Sequence, residues 1–176
     1  MENNFLIKSN PSSPIAESYR KTATNISFSN VDNEIKTIMI TSAKQDEGKT
    51  TTICNIATAM AELKNNILLI DLDLRKPSVH KKFKISNKKG LTELLFNKDD
   101  YKLYLHYVYP GLDVLTSGMI PASPTEIINS RTLKELIKEM SKDYDYIFLD
   151  APPVMLVSCF CQQKLSKSYR TCMSMN

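Results

Sequence analysis

The sequence predicts an α/β fold, a mostly parallel sheet with helices on both faces. Three observations predict it. Short β-branched, apolar runs recur along the chain and end abruptly in polar residues. Amphipathic helical patterns lie between them. Three of the runs end in residues that suit a ligand, where parallel sheets gather their ligands.

Residues 14–29, PIAESYRKTATNISFS, read as a helix with Pro14 in its first turn and Ile15, Tyr19, Thr22 and Ile26 near one face. Lys36–Thr41, KTIMIT, reads as a buried strand, followed by the polar loop SAKQDEG. Thr50–Leu63 reads as a helix that buries Ile53, Ile56, Ala57, Met60 and Ala61. Ile67–Leu72 is a second buried strand, and residues 78–106 are polar with short helical patches. Leu112–Leu115 is a third strand. Arg131–Ser141 is an amphipathic helix with Leu133, Leu136, Ile137 and Met140 on one face. Tyr146–Asp150, YIFLD, is a fourth buried strand. Four tyrosines crowd Tyr101–Tyr109; they read as packing residues on a helix or loop, with phosphate acceptors as the other reading.

Composition narrows the classes. A chain of 176 residues suits one domain, and 42% hydrophobic with 24% charged residues is a globular balance. Only four glycines occur, which excludes glycine-rich linkers and glycine-spaced repeats. The net charge of +4 is too mild to point to nucleic acid. The apolar runs are cut short by aspartates and none spans a bilayer. MENNFLIKSN has no signal-peptide pattern, so the expected location is the cytoplasm, where four cysteines are not expected to pair.

Three strand ends carry chemistry. Ala43–Thr50, A-K-Q-D-E-G-K-T, lies between a strand and a helix. It matches the phosphate-loop pattern G-x-x-x-x-G-K-[ST] at Gly48, Lys49 and Thr50, with Ala43 at the first glycine position. Backbone N–H groups of Ala43, Lys44, Gln45, Asp46, Glu47 and Gly48, with Lys49, Thr50 and Thr51, are the expected phosphate cradle at a helix N-terminus. There Lys49 reaches the phosphates of ATP and Thr50 ligates Mg²⁺. The plainer reading is a strand–helix turn with a surface lysine. The second strand end is I-L-L-I-D-L-D-L-R-K-P, Ile67–Pro77, where alternation along an extended segment points Asp71, Asp73 and Arg75 the same way. Such carboxylates hold metal-bound water or take a proton; the plainer reading is a solvated ion pair. The third is Asp150, at the end of an apolar strand, a candidate metal ligand beside the phosphate loop.

In these three motifs the chain resembles the bacterial tyrosine kinases of capsular and exopolysaccharide synthesis, with their P-loop NTPase-like sheet. Their two phosphate-site motifs and their strand-end aspartate are matched at Ala43–Thr50, Ile67–Arg75 and Ile147–Asp150. Further similar stretches are Glu17–Arg20, Thr24–Phe28, Arg75–Pro77, Gly90–Leu95 and Leu112–Pro121, and the resemblance covers residues 14–157. It implies γ-phosphoryl transfer from ATP to tyrosine hydroxyls, chiefly on neighbouring copies. It makes Asp71 the base or a magnesium-water ligand, puts Asp73 and Asp150 in the metal shell, and has Arg75 orient the site. It also implies a transmembrane activator that recruits the chain to the inner face of the membrane.

Three departures stand out. Asp46 replaces a glycine of the loop, which predicts weakened nucleotide binding. The ring-assembly motif E-x-x-R-x-x-R is met at Glu17 and Arg20 but has Ala23 for its second arginine, which predicts weaker rings. Similarity stops after Ser158. The tail Cys159–Asn176 holds three cysteines, three basic residues and no acidic one. It is expected to be a frameshifted or truncated, non-family segment after a domain of residues 1–158, without the C-terminal strands. The chain is then expected to be marginally stable and weak or inactive as a kinase. The alternatives are a partitioning or division-site ATPase of the ParA/MinD type, with Lys44 at its signature position, and an inactive nucleotide-binding remnant.

Overall fold

The computed structural model describes residues 6–29, 35–153 and 172–175. Two helices open it, α1 (Leu6–Ser9) and α2 (Pro14–Ser29). Strand β1 (Thr37–Ser42) leads through the predicted loop into α3 (Lys49–Glu62), and β2 (Ile67–Asp71) comes after it. Three short elements come next: α4 (Val79–Phe83), α5 (Leu91–Asn97) and a 3-10 turn at Tyr101–Tyr104. Strands β3 (Leu105–Tyr109) and β4 (Leu112–Leu115) precede helices α6 (Pro124–Asn129) and α7 (Arg131–Met140). Strand β5 (Tyr146–Asp150) and a last strand, β6 (Cys172–Met175), complete the sheet.

The sheet order is β3-β4-β2-β5-β1-β6, parallel except for the antiparallel β3–β4 pair at one edge. Period-two alternation divides the core between its faces. Ile38, Ile40, Ile67, Leu69 and Phe148 pack with the apolar sides of α2 and α3. Leu68, Ile70, Ile147 and Leu149 pack with Leu91, Leu94, Leu133, Ile137 and Met140 of α5 and α7. Each fully buried leucine or isoleucine contributes about 1.5–3 kcal/mol, so this two-sided burial holds the strand ends in place.

Several expectations need correction. In α2 Tyr19 and Ile26 pack half-buried on the core as expected, but the fully buried residues are Ala16 and Ala23, and Ile15 is 54% exposed. The small side chains let α2 lie close on α3, a choice that hydrophobicity alone does not signal. Arg20 is engaged within the chain, donating to Glu62 Oε2 at 2.8 Å and to the Pro11 carbonyl at 2.8 Å. Tyr107 and Tyr109 lie on the edge strand β3, not on a helix or loop, while Tyr101 and Tyr104 belong to the 3-10 turn and are buried. Residues 172–175 of the tail, expected to hold no strand, pair in parallel with Met39–Ser42 at the free side of β1. The expected boundary at Ser158, with Cys159, Cys161 and Tyr169, lies outside the described residues. Of the cysteines, Cys54 is free and buried. No helix among the described residues is long and apolar enough to cross a membrane.

Candidate active site

The phosphate-loop residues lie between the end of β1 and the start of α3, as the sequence predicts. Two backbone positions set the loop's shape. Gly48 has φ +86° with open space around a built Cβ, so conformation and not room selects glycine there. Asp46 has φ +61°, the left-handed region that a non-glycine residue enters at a cost of about 1–2 kcal/mol. Its carboxylate turns outward and pairs with Lys76 Nζ at 3.0 Å, both groups being exposed. The Ser42 hydroxyl donates to the Lys44 carbonyl at 2.6 Å, and Lys44 N–H donates to Glu47 Oε2 at 3.1 Å. These bonds close the turn. Ala43, Gln45 and the rest of residues 43–48 lie at the surface, whereas Lys49 is only 7% exposed. Thr51 is half-buried one residue past Thr50.

Thr50 is the centre of the polar contacts. Its hydroxyl donates to Asp150 Oδ2 at 2.6 Å and lies 2.8 Å from the Ser78 hydroxyl. One hydroxyl has one proton. With that proton given to Asp150, Ser78 is the donor in the second bond. Sequence reasoning missed Ser78; its signal was a serine placed immediately before the helical patch of Val79–Phe83.

Asp71 and Asp150 are register partners at the ends of adjacent strands, and both are fully buried. Asp71 Oδ1 accepts the N–H of Asp73 at 3.1 Å, and Oδ2 accepts those of Ser78 and Val79, each at 3.0 Å. Burial pushes its carboxyl up to about 8, with the neighbouring Asp150 charge adding to the rise and the three N–H donors opposing it. Burial likewise raises Asp150, to about 6, against the Thr50 hydrogen bond and the Lys49 charge. Asp150 Oδ1 is buried and has no hydrogen-bond partner among the described residues.

The expectation that Asp71, Asp73 and Arg75 point the same way fails at Arg75, whereas the charge of Asp73 acts on the Asp150 carboxyl and raises it. The extended run stops at Asp71, because its carboxylate captures three later N–H groups and folds the chain back. Asp73 is half-buried and accepts Lys76 N–H on Oδ1 at 3.1 Å. Arg75 points away into solvent and donates to Thr125 Oγ1 of α6 at 3.0 Å.

Magnesium favours hard oxygen ligands and keeps part of its shell from phosphate and water. Among the described residues no cluster of three His, Cys, Asp or Glu side chains could hold a metal by itself. Thr50, Asp150 and the unpartnered Oδ1 at a helix N-terminus fit an ion whose remaining ligands come from a nucleotide. The donor set therefore suits Mg²⁺–ATP.

A family model described as an AAA domain matches residues 35–171. The tyrosine-protein kinase YwqD of Bacillus subtilis is 42% identical over 159 residues, 90% of this chain and 67% of the relative. CapB of Staphylococcus aureus, named a putative tyrosine-protein kinase, is 39% identical over 84% of this chain and 65% of its own length. The solved kinase domain of Escherichia coli tyrosine kinase ETK superposes with a TM-score of 0.81 at 32% identity, covering 90% of this chain and 63% of that one. The chain thus spans about two thirds of these proteins. The division-site protein MinD of Pyrococcus horikoshii, which represents the ParA/MinD alternative, shares the fold at a TM-score of 0.64 but only 21% identity. Identity of 42% across nine-tenths of its length, on a fold that superposes on a tyrosine kinase domain, shows that this chain belongs to the family of bacterial tyrosine-protein kinases.

Proposed function

We propose that the chain binds Mg²⁺–ATP between the phosphate loop and the ends of β2 and β5, and transfers the γ-phosphoryl group to tyrosine hydroxyls. The observation that carries this reading is the Thr50–Asp150 hydrogen bond with the open Asp150 Oδ1 beside it, at the N-terminus of α3. Lys49 and the loop N–H groups hold the phosphates. Thr50 and Asp150 hold the metal, which spreads the charge of the β- and γ-phosphates when bound. The tyrosine oxygen attacks the γ-phosphorus, the bond to the bridging oxygen breaks and ADP leaves. The hydroxyl proton goes to Asp73. Resemblance alone makes Asp71 the base. We assign Asp73 because its Oδ2 is not engaged among the described residues, while both oxygens of Asp71 are taken up by backbone N–H groups. Asp71 then positions the turn and Ser78. Catalysis on this reading is mainly positioning and charge stabilisation.

In the cell this activity would serve capsular or extracellular polysaccharide synthesis, on the inner face of the membrane, with a transmembrane activator and neighbouring copies as partners. Arg20 is held by Glu62 and Ala23 is buried, which supports weak self-assembly. The test is incubation with Mg²⁺–ATP, read by phosphotyrosine, with Lys49→Met as control. Phosphotyrosine that disappears in the control supports the reading. ATP hydrolysis without phosphotyrosine replaces it with the partitioning-ATPase reading, and binding without turnover with that of a nucleotide-binding remnant.

A further inference from the structure

The site uses none of the lysines beyond Lys76. Between Asp73 and Glu93 the chain carries seven basic residues, Arg75, Lys76, Lys81, Lys82, Lys84, Lys88 and Lys89, and no acidic one. Without those seven the net charge of +4 would be −3. The segment from Arg75 to Lys89 is thus an unbroken basic run around α4 that by itself outweighs the chain's net charge. Arg75 and Lys76 are engaged by Thr125 and Asp46. Lys81, Lys82, Lys84, Lys88 and Lys89 form no ion pair among the described residues, and all but half-buried Lys82 are exposed. A concentration of unpaired like charges is unfavourable by itself.

A second observation lies beside it. The loop after β4 carries Met119 and Ile120, which are 67% and 64% exposed. This loop is fastened to the lysine loop at several points. The Asn87 side chain accepts Gly118 N–H at 3.1 Å and donates to the Gly118 carbonyl at 2.8 Å. Thr116 Oγ1 donates to the Lys89 carbonyl at 3.2 Å. Glu93, the nearest acidic residue, spends both oxygens on Gly90 N–H and Met119 N–H. A side chain at Gly90 would strike Gly118 N and Thr116 O, so the two loops touch backbone to backbone. Exposed aliphatic side chains therefore stand beside the loop of Lys88 and Lys89, which leads back along the chain to Lys84 and Lys81. Phe96, 73% exposed, lies across a mostly apolar cleft from Pro121 and Ala122.

We propose that this face binds directly to the surface of an anionic bilayer. The lysines attract lipid phosphates, and Met119 and Ile120 enter the boundary between headgroups and acyl chains. Lysine attraction alone would suit any polyanion. The paired aliphatic tip distinguishes lipid, because a nucleic-acid backbone or an acidic peptide offers it nothing apolar to enter. The inference does not depend on phosphoryl transfer.

The full chain is cosedimented with vesicles of phosphatidylglycerol and phosphatidylcholine, and with vesicles of phosphatidylcholine alone. Binding is expected to the first and not to the second, weakening as salt is added. Replacing Lys81, Lys84, Lys88 and Lys89 together by Gln is expected to weaken binding at least about tenfold. Met119→Ser with Ile120→Ser is expected to weaken it severalfold and to remove what survives at high salt. Thermal unfolding confirms that each variant is folded. Equal binding to both vesicle types overturns the proposal, as does unchanged binding by the lysine variant. Competition by duplex DNA or polyglutamate, with no effect of the Met119 and Ile120 changes, also overturns it in favour of a general polyanion surface.

Discussion

The ends of β2 and β5 are alike in composition and opposite in use. Each finishes on an aspartate, Asp71 and Asp150, and the two face one another fully buried. Asp71 is saturated by three backbone N–H groups, while among the described residues Asp150 has one hydroxyl donor and an oxygen left open. The difference lies in the next stretch of chain. After Asp71 the backbone supplies N–H groups at Asp73, Ser78 and Val79. After Asp150 it runs Ala151-Pro152-Pro153; Ala151 gives its N–H to Ile40, and prolines have none to give. One carboxylate is consumed by its own chain, and the other keeps an oxygen without a partner among the described residues.

The largest expected effect tests that contrast directly. Asp71→Ala strands three N–H donors in a buried site, at about 1–3 kcal/mol each, and is expected to cost several kcal/mol in chemical denaturation. Compared at about pH 5, where the Asp150 carboxyl is still protonated, Asp150→Asn is expected to change stability by less than about 1 kcal/mol. If the two variants unfold alike, the contrast fails. In Mg²⁺-dependent nucleotide binding measured by calorimetry the order reverses, and Asp150→Asn is expected to lose about 10- to 100-fold.

Acidity sharpens the same comparison. In the metal-free chain Asp71 holds its proton up to about 8 and Asp150 up to about 6, both above the ordinary carboxylate range. The folded state therefore binds more protons than the unfolded state, and the stability this gives is lost as pH rises between about 4 and 8. The slope reaches about 1.4 kcal/mol per pH unit for each proton. Asp150→Asn removes one of the two charges. Its stability relative to the parent is expected to grow from about pH 5 to about pH 8 in urea titrations. A constant difference would mean that the two carboxyls do not share this site's proton balance.

The smallest effect lies at the edge of the site. Asp46→Gly relieves a left-handed aspartate, worth about 1 kcal/mol, and loses an exposed ion pair worth about 0–1 kcal/mol. The two changes nearly cancel, so stability is expected to stay within about 1 kcal/mol of the parent. Nucleotide affinity is expected to rise a few-fold in a fluorescence titration, because a carboxylate leaves the phosphate loop and Lys76 is released. Unchanged affinity would show that Asp46, already turned to solvent, has no influence on the cradle.

Most of the sheet was legible because its strands are uniform apolar runs ended by charge. The four expected strands and the helices at Pro14, Lys49 and Arg131 lie within one residue of their expected bounds. Strand β3 was not legible, since Leu105, Tyr107 and Tyr109 alternate with His106 and Val108 and neither phase is cleanly polar. Helix α6 was missed although Ser123-Pro124 opens it with a recognised start signal; six residues give too short a pattern to show a period. At the site, the motifs themselves point out the loop residues and the two strand-end aspartates. What spacing could not reveal was the fold-back at Asp71, which depends on a side chain capturing backbone N–H groups up to eight residues away. That capture separated Arg75 from the carboxylates and brought Ser78 to Thr50.

The strand order has a consequence for synthesis. Strand β5 lies between β1 and β2, although it is made about eighty residues after β2 begins. Until residue 150 leaves the ribosome, the facing edges of β1 and β2 have no partner, and Ile38, Ile40, Leu68 and Ile70 have half a core. The nascent chain must carry two unpaired apolar edges through nearly eighty residues of translation, at the elongation rate of about 5–20 residues per second, before the strand that joins them is complete. That interval, lasting several seconds, is when the chain is most in need of a chaperone.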